Sequence, residues 1–309
     1  MIWIALVVLL LVLLALPPLA EAFRPPIDAR RRRKASGEVV QLSAGQTYYE
    51  WRGAARGPVV VCIHGLTTPS YVWTPLAVAL TALGVRVLTY DLYGRGLSDR
   101  PQGPQTRAFF VTQLDELLTA LEVTRGVTLM GYSMGGAIAA AFAQDRPERV
   151  DRLVLLAPVG LGHRMNRFLT FCARVPVLGD GLMRLFGGLV HRSGVDRSLP
   201  PNPELPDMAQ RMAAEMGVRG TLPAVLSSLR GMMAEDMAPT HRALAVTSLP
   251  VLAIWGEADR VIPLAGMGRL VQINRNARQV ELPGATHALP YTHPDAIMGA
   301  LTEFLRETV

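Results

Sequence analysis

Hydrophobic residues are distributed along this chain in three patterns, and each pattern predicts a different kind of element. The first is an unbroken apolar run over residues 2–16, which residues 17–20 extend without charge as far as Glu21. About 20 apolar residues are enough to cross a bilayer core of roughly 30 Å. We therefore predict a transmembrane or signal-anchor segment over residues 1–20.

The topology of this segment is predicted from the charges around it. The helical part before the prolines is short, so it also resembles the apolar core of a signal peptide, and Ala20-Glu21-Ala22 is a passable cleavage site. Against export, no basic residue precedes the segment, whereas a cluster of five follows it: Arg30, Arg31, Arg32, Arg33 and Lys34. The positive-inside rule then predicts a single-pass anchor with a cytoplasmic domain. An exported, periplasmic protein is the alternative.

The basic cluster also dominates the charge of the chain. The formal net charge is +6, and residues 1–34 carry six basic and two acidic side chains, a net of +4, which leaves +2 for the rest. A domain surface this close to neutrality does not indicate nucleic-acid binding. Residues 21–37 are interpreted as a basic linker, which is either simply solvated or attracted to anionic headgroups beside a membrane.

The second pattern is a series of short apolar runs that predict strands. Val59–Ile63 is apolar throughout, as in a central parallel strand, and similar runs occupy residues 85–90, 127–130, 153–157, 251–255 and 279–282. Helical stretches lie between them, and residues 38–42 and 46–51 alternate in the manner of an opening hairpin. Strands that alternate with helices predict an α/β fold with a doubly wound, mostly parallel sheet.

The third pattern occupies residues 158–247, where this alternation stops. The stretch has no clear strand and fits several short helices, and it contains eight methionines: Met165, Met183, Met208, Met212, Met216, Met232, Met233 and Met237. We predict an inserted helical cap over the carboxyl ends of the strands, between the core segments 38–157 and 248–309. The methionines either line an adaptable apolar site or form the core of a small helical subdomain.

The candidate chemistry begins at Ser133, within the sequence GYSMG of residues 131–135. A strand-like run precedes it and small helix-forming residues follow it, which is the context of a G-x-S-x-G nucleophile elbow. A serine hydroxyl needs a base, and the base needs an orienting carboxylate. Asp259 and His287 follow in the chain order that this fold requires, each in a loop after a predicted strand. The three side chains are therefore expected at one edge of the sheet.

Together, these motifs resemble the α/β-hydrolase superfamily over roughly residues 38–309. The matching positions are His64-Gly65, Asp91-x-x-Gly94-x-Gly96-x-Ser98, Gly131-x-Ser133-x-Gly135, Gly256-x-x-Asp259 and Gly284-x-x-His287. The resemblance implies Ser133 as nucleophile, His287 as general base and then acid, and Asp259 as orienting acid. It also implies an oxyanion hole formed by the backbone N–H groups of Leu66 and Met134. The oxyanion loop lacks the HGGG sequence of one lipase branch and is similar to the commoner HG-x form.

The resemblance implies a serine hydrolase that acts by acyl transfer, with no cofactor and no metal. Dehalogenases and epoxide hydrolases of this superfamily use Asp at the elbow, so Ser133 disfavours both. The apolar anchor, basic segment and methionine-rich cap favour a lipid-like or apolar carboxylic ester, and the pattern is similar to membrane-anchored monoacylglycerol-lipase-like esterases. One alternative is a C–C bond hydrolase or a haloperoxidase-like perhydrolase. Another, from a different class, is a ligand receptor without turnover.

Other conspicuous residues are given structural interpretations. His64 is expected to brace the oxyanion loop, and Tyr132 to pack beside the nucleophile. Glu257 is interpreted as structural and not as the triad acid. Cys62 lies in a buried strand run, so it and Cys172 are expected to be reduced, and neither has metal-ligand spacing.

Overall fold

The computed structural model describes residues 1–124, 126–194 and 202–308. Its strands are β1 (Glu38–Leu42), β2 (Gly45–Gly53), β3 (Val59–Ile63), β4 (Arg86–Tyr90), β5 (Val127–Tyr132), β6 (Val150–Leu156), β7 (Val251–Gly256) and β8 (Arg278–Leu282). They form one sheet in the order β1-β2-β4-β3-β5-β6-β7-β8. Strand β2 pairs antiparallel with β1 and β4, and all other pairs are parallel. The predicted α/β-hydrolase fold with a mostly parallel sheet is confirmed.

The helices connect and cover these strands. In chain order they are α1 (Ile2–Ala22), α2 (Ala29–Arg32), α3 (Thr74–Thr81), α4 (Arg107–Ala120), α5 (Met134–Asp145), α6 (Arg167–Arg174), α7 (Leu178–Gly194), α8 (Met208–Glu215), α9 (Thr221–Arg230), α10 (Ala238–Ala245), α11 (Ala265–Ile273), α12 (Leu289–Thr292) and α13 (Pro294–Glu307). Helices α3 and α13 pack together against the sheet, and α4 and α5 form a second such pair.

The most buried strands explain where the core lies. Every residue of β3 and of β5 is buried, because each strand has a parallel neighbour on both sides and helices over its faces. At the outer edges, β1 and β8 expose part of their residues. The carboxyl end of β5, which leads directly to Ser133, therefore lies at the centre of the sheet and is held on all sides.

Helix α1 is longer than the sequence predicts, because it continues through Pro17 and Pro18 to Ala22. Each proline removes one backbone N–H donor, but its φ value suits a helix, and the carbonyl of Leu19 still accepts a 3.1 Å bond from the N–H of Phe23. Within the described residues, α1 is the one helix that is long and apolar enough to cross a membrane. Length and composition also suit a signal sequence.

The chain after α1 is held against the domain at specific points. The guanidinium of Arg24 donates to the carbonyls of Arg184 at 2.7 Å and Met216 at 3.1 Å. Arg32 donates to the Leu97 carbonyl at 2.9 Å and forms a 2.5 Å ion pair with Asp99. Residues 21–37 are therefore more than a solvated linker, although the other basic side chains of the cluster are exposed.

Residues 158–247 form helices α6–α10 and a short 3₁₀ turn, with no strand in the part of this segment that the structure describes. Six of its eight methionines are buried, namely Met183, Met208, Met216, Met232, Met233 and Met237. Burial in the hydrophobic core matches the second of the two interpretations given to these residues. Helix α10 packs on α5 and α11, whereas α6 to α9 pack mainly on one another.

Candidate active site

Ser133 stands in a strained turn between β5 and α5. Its φ of 55° lies in the left-handed region, which is uncommon for any residue with a side chain. Two glycines make the turn possible: a Cβ at Gly131 would lie 2.3 Å from the Gly135 carbonyl oxygen, and one at Gly135 would lie 2.0 Å from the Ile63 carbonyl oxygen. The G-x-S-x-G spacing is therefore a requirement of close backbone packing.

The backbone of Ser133 is fixed from two directions. Its N–H donates to the Leu156 carbonyl at 2.9 Å, and its own carbonyl accepts from the N–H groups of Gly136 at 3.0 Å and Val159 at 3.1 Å. These bonds connect the turn to the end of β6, to the first turn of α5 and to the start of the 158–247 segment. The direction of the Ser133 side chain is therefore set by the main chain.

The three side chains predicted to act together form a hydrogen-bonded series. Nε2 of His287 lies 3.1 Å from Ser133 Oγ, and Nδ1 of His287 lies 2.7 Å from Asp259 Oδ2. The other oxygen of Asp259 accepts 2.8 Å bonds from the N–H groups of Val261 and Ile262. The Asp259 carboxylate is buried and fully bonded, so it holds the imidazole in one orientation and leaves Nε2 facing the hydroxyl.

Tyr132 has a role in this arrangement that its sequence position did not reveal. Its hydroxyl donates a 2.7 Å bond to the backbone carbonyl of His287, and the two rings lie 5.2 Å apart between centroids. The residue before the nucleophile therefore positions the loop that carries the histidine. The prediction that Tyr132 packs beside Ser133 is correct but incomplete.

The loop after β3 lies directly against Ser133. A Cβ at Gly65 would lie 3.3 Å from Ser133 Cβ, and the next residue is Leu66. In the described part of the chain, the backbone N–H groups of Leu66 and Met134 donate to no protein acceptor. Both groups are therefore free to bind an oxyanion, as the resemblance implies.

His64 braces this loop, as predicted. Its Nδ1 lies 2.8 Å from the Gly65 carbonyl oxygen, and its Nε2 accepts a 2.9 Å bond from the Leu92 N–H. Burial lowers the pKa of His64 to about 3, so the ring is neutral at physiological pH. Nδ1 is then the donor, which fixes the tautomer and with it the position of the oxyanion loop.

Arg95 is a second residue that sequence analysis missed. Its guanidinium is fully buried and donates to the Leu66 carbonyl at 3.0 Å and to Ser228 Oγ on α9 at 2.7 Å. It also donates to the side chain of Gln105. Burial lowers the pKa of Arg95 to about 9, so it still carries a positive charge at neutral pH. Arg95 thus connects the oxyanion loop to the 158–247 segment.

The other conspicuous residues of the sequence are not part of the hydrogen-bonded series of Ser133, His287 and Asp259. Glu257 is exposed and accepts a 2.8 Å bond from the Gly284 N–H, in agreement with a structural role. Cys62 and Cys172 are both free and buried, and burial raises the pKa of each thiol. Among residues 1–124, 126–194 and 202–308, no three His, Cys, Asp or Glu side chains are grouped to hold a metal ion.

The chain is similar to proteins of several activities. An uncharacterized protein of Mycobacterium tuberculosis is 28% identical over 228 residues. The match covers 69% of this chain, and the chain spans only 65% of that relative's length. A 2-hydroxymuconate semialdehyde hydrolase of Pseudomonas putida is 30% identical over 224 residues, 72% of this chain and 77% of that protein.

A solved bacterial membrane phospholipase A has the same fold, with a TM-score of 0.68 and 22% sequence identity over 99% of this chain and 97% of that one. The family model described as alpha/beta hydrolase fold matches residues 58–294, which include the elbow, Asp259 and His287. The match covers well over half of the sequence. The chain therefore belongs to the alpha/beta hydrolase family.

Proposed function

We propose that this chain is a serine hydrolase that cleaves carboxylic esters, with lipid-like or apolar acyl esters as its substrate class. The observation that carries the proposal is the bonded series from Ser133 Oγ through His287 to Asp259, with distances of 3.1 Å and 2.7 Å. A serine hydroxyl held in this way against an oriented imidazole is an activated nucleophile for acyl transfer.

The first half-reaction forms an acyl-enzyme. Ser133 Oγ attacks the ester carbonyl carbon while its proton passes to Nε2 of His287, and the carboxylate of Asp259 stabilises the resulting imidazolium. The oxyanion of the tetrahedral intermediate accepts hydrogen bonds from the N–H groups of Leu66 and Met134, a contribution of about 3–4 kcal/mol for a single donor in such sites. His287 then returns the proton to the leaving alkoxide, so the alcohol departs and the acyl group stays on Ser133.

The second half-reaction repeats these steps with water. His287 removes a proton from a water molecule, whose oxygen attacks the acyl carbon of the acyl-enzyme. A second oxyanion forms in the same place and collapses, the C–O bond to Ser133 breaks, and His287 returns the proton to Oγ. The products are a carboxylic acid and the free enzyme, and water is the co-reactant.

Two features support a lipid-like substrate. Helix α1 has the length and hydropathy of a membrane span, and we propose a single-pass anchor with a cytoplasmic domain on the basis of the cluster that follows it. The likeness to a membrane phospholipase A covers 99% of this chain and so takes in α1. In this proposal the 158–247 segment is the cap that receives the acyl chain, at the carboxyl ends of the strands.

Activity-based labelling tests the proposal. A fluorophosphonate probe should label the purified chain at Ser133, and p-nitrophenyl esters of graded acyl length should be hydrolysed, with the highest kcat/KM at medium or long chains. Ser133→Ala should abolish both signals. Labelling without turnover of any ester would favour the ligand receptor, and labelling that survives in Ser133→Ala would show that the nucleophile is misassigned.

A second candidate is the hydrolysis of a semialdehyde, because the Pseudomonas putida relative that carries this name is 30% identical to the chain. The same triad would then cleave a C–C bond. Turnover of 2-hydroxymuconate semialdehyde with a kcat/KM above that of every ester would favour this candidate.

A further inference from the structure

Large apolar side chains are exposed on the helices that follow β6. We call this surface the outer apolar face, and it consists of Phe171 on α6, Val177 between α6 and α7, and Leu178, Phe186 and Leu189 on α7. The exposed fraction reaches 77% at Val177 and 56% at Leu178. No element in the described part of the chain covers them. Contiguous exposed apolar surface of this kind usually marks an interaction site.

The backbone at Val177 is arranged so that its side chain points outward. Its φ of 62° is left-handed, which is unfavourable for a β-branched residue. The conformation is held by a 3.1 Å bond from the Val177 N–H to the carboxylate of Asp180 in the first turn of α7. Strained backbone is found preferentially at functional positions, so strain at an exposed apolar residue favours a role in binding.

Helix α1 is fixed beside this face. It packs on α7, where Pro17 is buried and a Cβ at Gly181 would lie 3.4 Å from Pro17 Cγ. Arg24 then reaches the carbonyl of Arg184, as described above. The last turns of α1 are therefore packed on the start of α7.

The length of α1 indicates how deep the outer apolar face lies relative to a membrane that α1 crosses. Residues 2–16 of α1 are exposed at every described side chain and span about 22 Å, at about 1.5 Å per residue. The hydrocarbon core of a bilayer is about 30 Å thick. The candidate membrane span is the whole of α1, Ile2–Ala22, and it includes Pro17, which packs on α7. The beginning of α7, with Val177 and Leu178, then lies at the depth of the lipid.

We propose that the outer apolar face is a membrane-docking surface, which inserts into the boundary between lipid headgroups and acyl chains beside α1. This inference rests on the membrane-anchored function proposed above. Arg174 and Arg184, in the same two helices, supply positive charge for anionic headgroups. Docking then brings helices of the 158–247 segment, which is proposed above to receive the acyl chain, to the surface of the bilayer. A lipid ester then reaches the nucleophile without crossing bulk water.

Spin labelling of the full chain in phosphatidylcholine–phosphatidylglycerol vesicles tests the depth of the face. Single cysteines replace Leu178 on the face, Leu9 in α1 and Val246 between α10 and β7. The native cysteines are fully buried, and the unmutated chain, taken through the same labelling, gives the background. The labels at 178 and 9 should collide more often with oxygen than with a water-soluble nickel chelate, and the label at 246 should show the reverse.

The contradicting outcomes are distinct. A label at 178 that is exposed to water while the label at 9 is in lipid would overturn membrane docking and leave the anchor intact. Water exposure at both positions would instead show that the proposed anchor is wrong. Spin–spin broadening at 178 that disappears on dilution with unlabelled chain would show that a second copy covers the face, which also overturns the proposal.

A kinetic test uses two exposed valines as a matched pair. Val177→Asp places a charge on the face, and Asp tolerates left-handed backbone better than Val does. Val246→Asp places the same charge elsewhere on the surface. Val177→Asp should lower turnover of a long-chain ester carried in vesicles by about tenfold, because a carboxylate enters the interface unfavourably. Turnover of a water-soluble short-chain ester should not change in either variant. Equal turnover of the vesicle-borne ester by both variants would contradict docking.

Discussion

The guanidinium of Arg95 donates a 3.0 Å hydrogen bond to the backbone carbonyl of Leu66, the residue whose N–H is proposed to bind the oxyanion. The same guanidinium donates to Ser228 on α9, a residue far away in the chain. One buried side chain therefore connects the oxyanion loop to the segment that is proposed to receive the acyl chain. The Leu66 carbonyl is therefore bonded to a side chain that α9 also holds.

Arg95→Lys should lower kcat by roughly 10- to 100-fold with little change in KM, because a lysine cannot hold Leu66 and Ser228 together and the oxyanion donor loses its alignment. Steady-state kinetics on a soluble ester give both constants. Arg100→Lys is the matched control, since Arg100 lies in the same loop and bonds to Ser98, Gly96 and Glu215 but not to Leu66. A rise in KM alone for Arg95→Lys would argue against this positioning role.

Asp259→Asn should lower kcat by about 10⁴-fold, because an amide donates to Nδ1 and stabilises the wrong imidazole tautomer. Glu257→Gln, in the same loop, should remain close to the unmutated enzyme. Far-UV circular dichroism of both variants checks that the fold is retained. A mild loss for Asp259→Asn together with a large loss for Glu257→Gln would move the acid role to Glu257.

Tyr132→Phe removes the 2.7 Å bond to the His287 carbonyl but keeps the ring that packs on the imidazole. We expect a loss of about 1 kcal/mol in the free energy of unfolding, as for a typical hydrogen bond, and a several-fold lower kcat. Denaturant unfolding and ester kinetics measure the two effects. Tyr93→Phe, which removes a 3.0 Å bond to Gly45 far from the triad, should lower stability without a comparable loss of kcat.

Acid should destabilise the protein through its buried histidines. Burial lowers the pKa of His241 to about 4, and neither ring nitrogen has a hydrogen-bond partner in the described structure. Because the folded pKa lies below the unfolded value of about 6.5, the unfolded state binds the proton first, and stability that is present above about pH 6.5 is lost as the pH falls towards 4. Burial also lowers the pKa of His64, so protonation of His64 destabilises the folded state in the same way.

His241→Leu tests this linkage. Between pH 7.5 and pH 5, the loss in the free energy of unfolding should be about 2 kcal/mol smaller for the variant than for the unmutated chain. Denaturant titrations of the detergent-solubilised full chain at both pH values give the difference. Identical losses in the two proteins would show that His241 has the same pKa in the folded and unfolded states.

Two truncations separate the free part of α1 from the part that packs on the domain. Deletion of residues 1–16 should leave a domain with unchanged activity on a soluble short-chain ester. Deletion of residues 1–34 also removes the bonds of Arg24 and the ion pair of Arg32 with Asp99, so it should lower the free energy of unfolding by about 1–3 kcal/mol. Equal stability of the two truncated proteins would show that these contacts contribute nothing measurable.

Sequence patterns predicted the structure correctly where the structure of a segment depends mainly on the residues within it. The run Val59–Ile63 is apolar at every position and forms a fully buried parallel strand, and Gly131 is required by its contact with Gly135 within the same turn. The chain order of Ser133, Asp259 and His287 was also readable, and the structure brings all three within hydrogen-bonding distance. Their catalytic roles remain predictions.

The residues that sequence analysis missed depend on partners distant in the chain. The hydroxyl of Tyr132 bonds to a carbonyl in the loop after β8, and the acceptors of Arg95 lie on the loop after β3 and on α9. No spacing rule connects these positions. The extension of α1 beyond Pro17 was missed for the same reason. The end of α1 packs on α7, and this tertiary contact is not visible in the local sequence around the two prolines.

The main chain around Ser133 has a consequence for the evolution of this scaffold. Its N–H and carbonyl are held by Leu156, Gly136 and Val159, so the turn does not depend on which side chain it carries. A different nucleophile at this position would be presented along the same vector, towards the same histidine and the same free N–H groups. The backbone of this turn therefore constrains the direction in which a side chain at position 133 points, and not the chemical identity of that side chain.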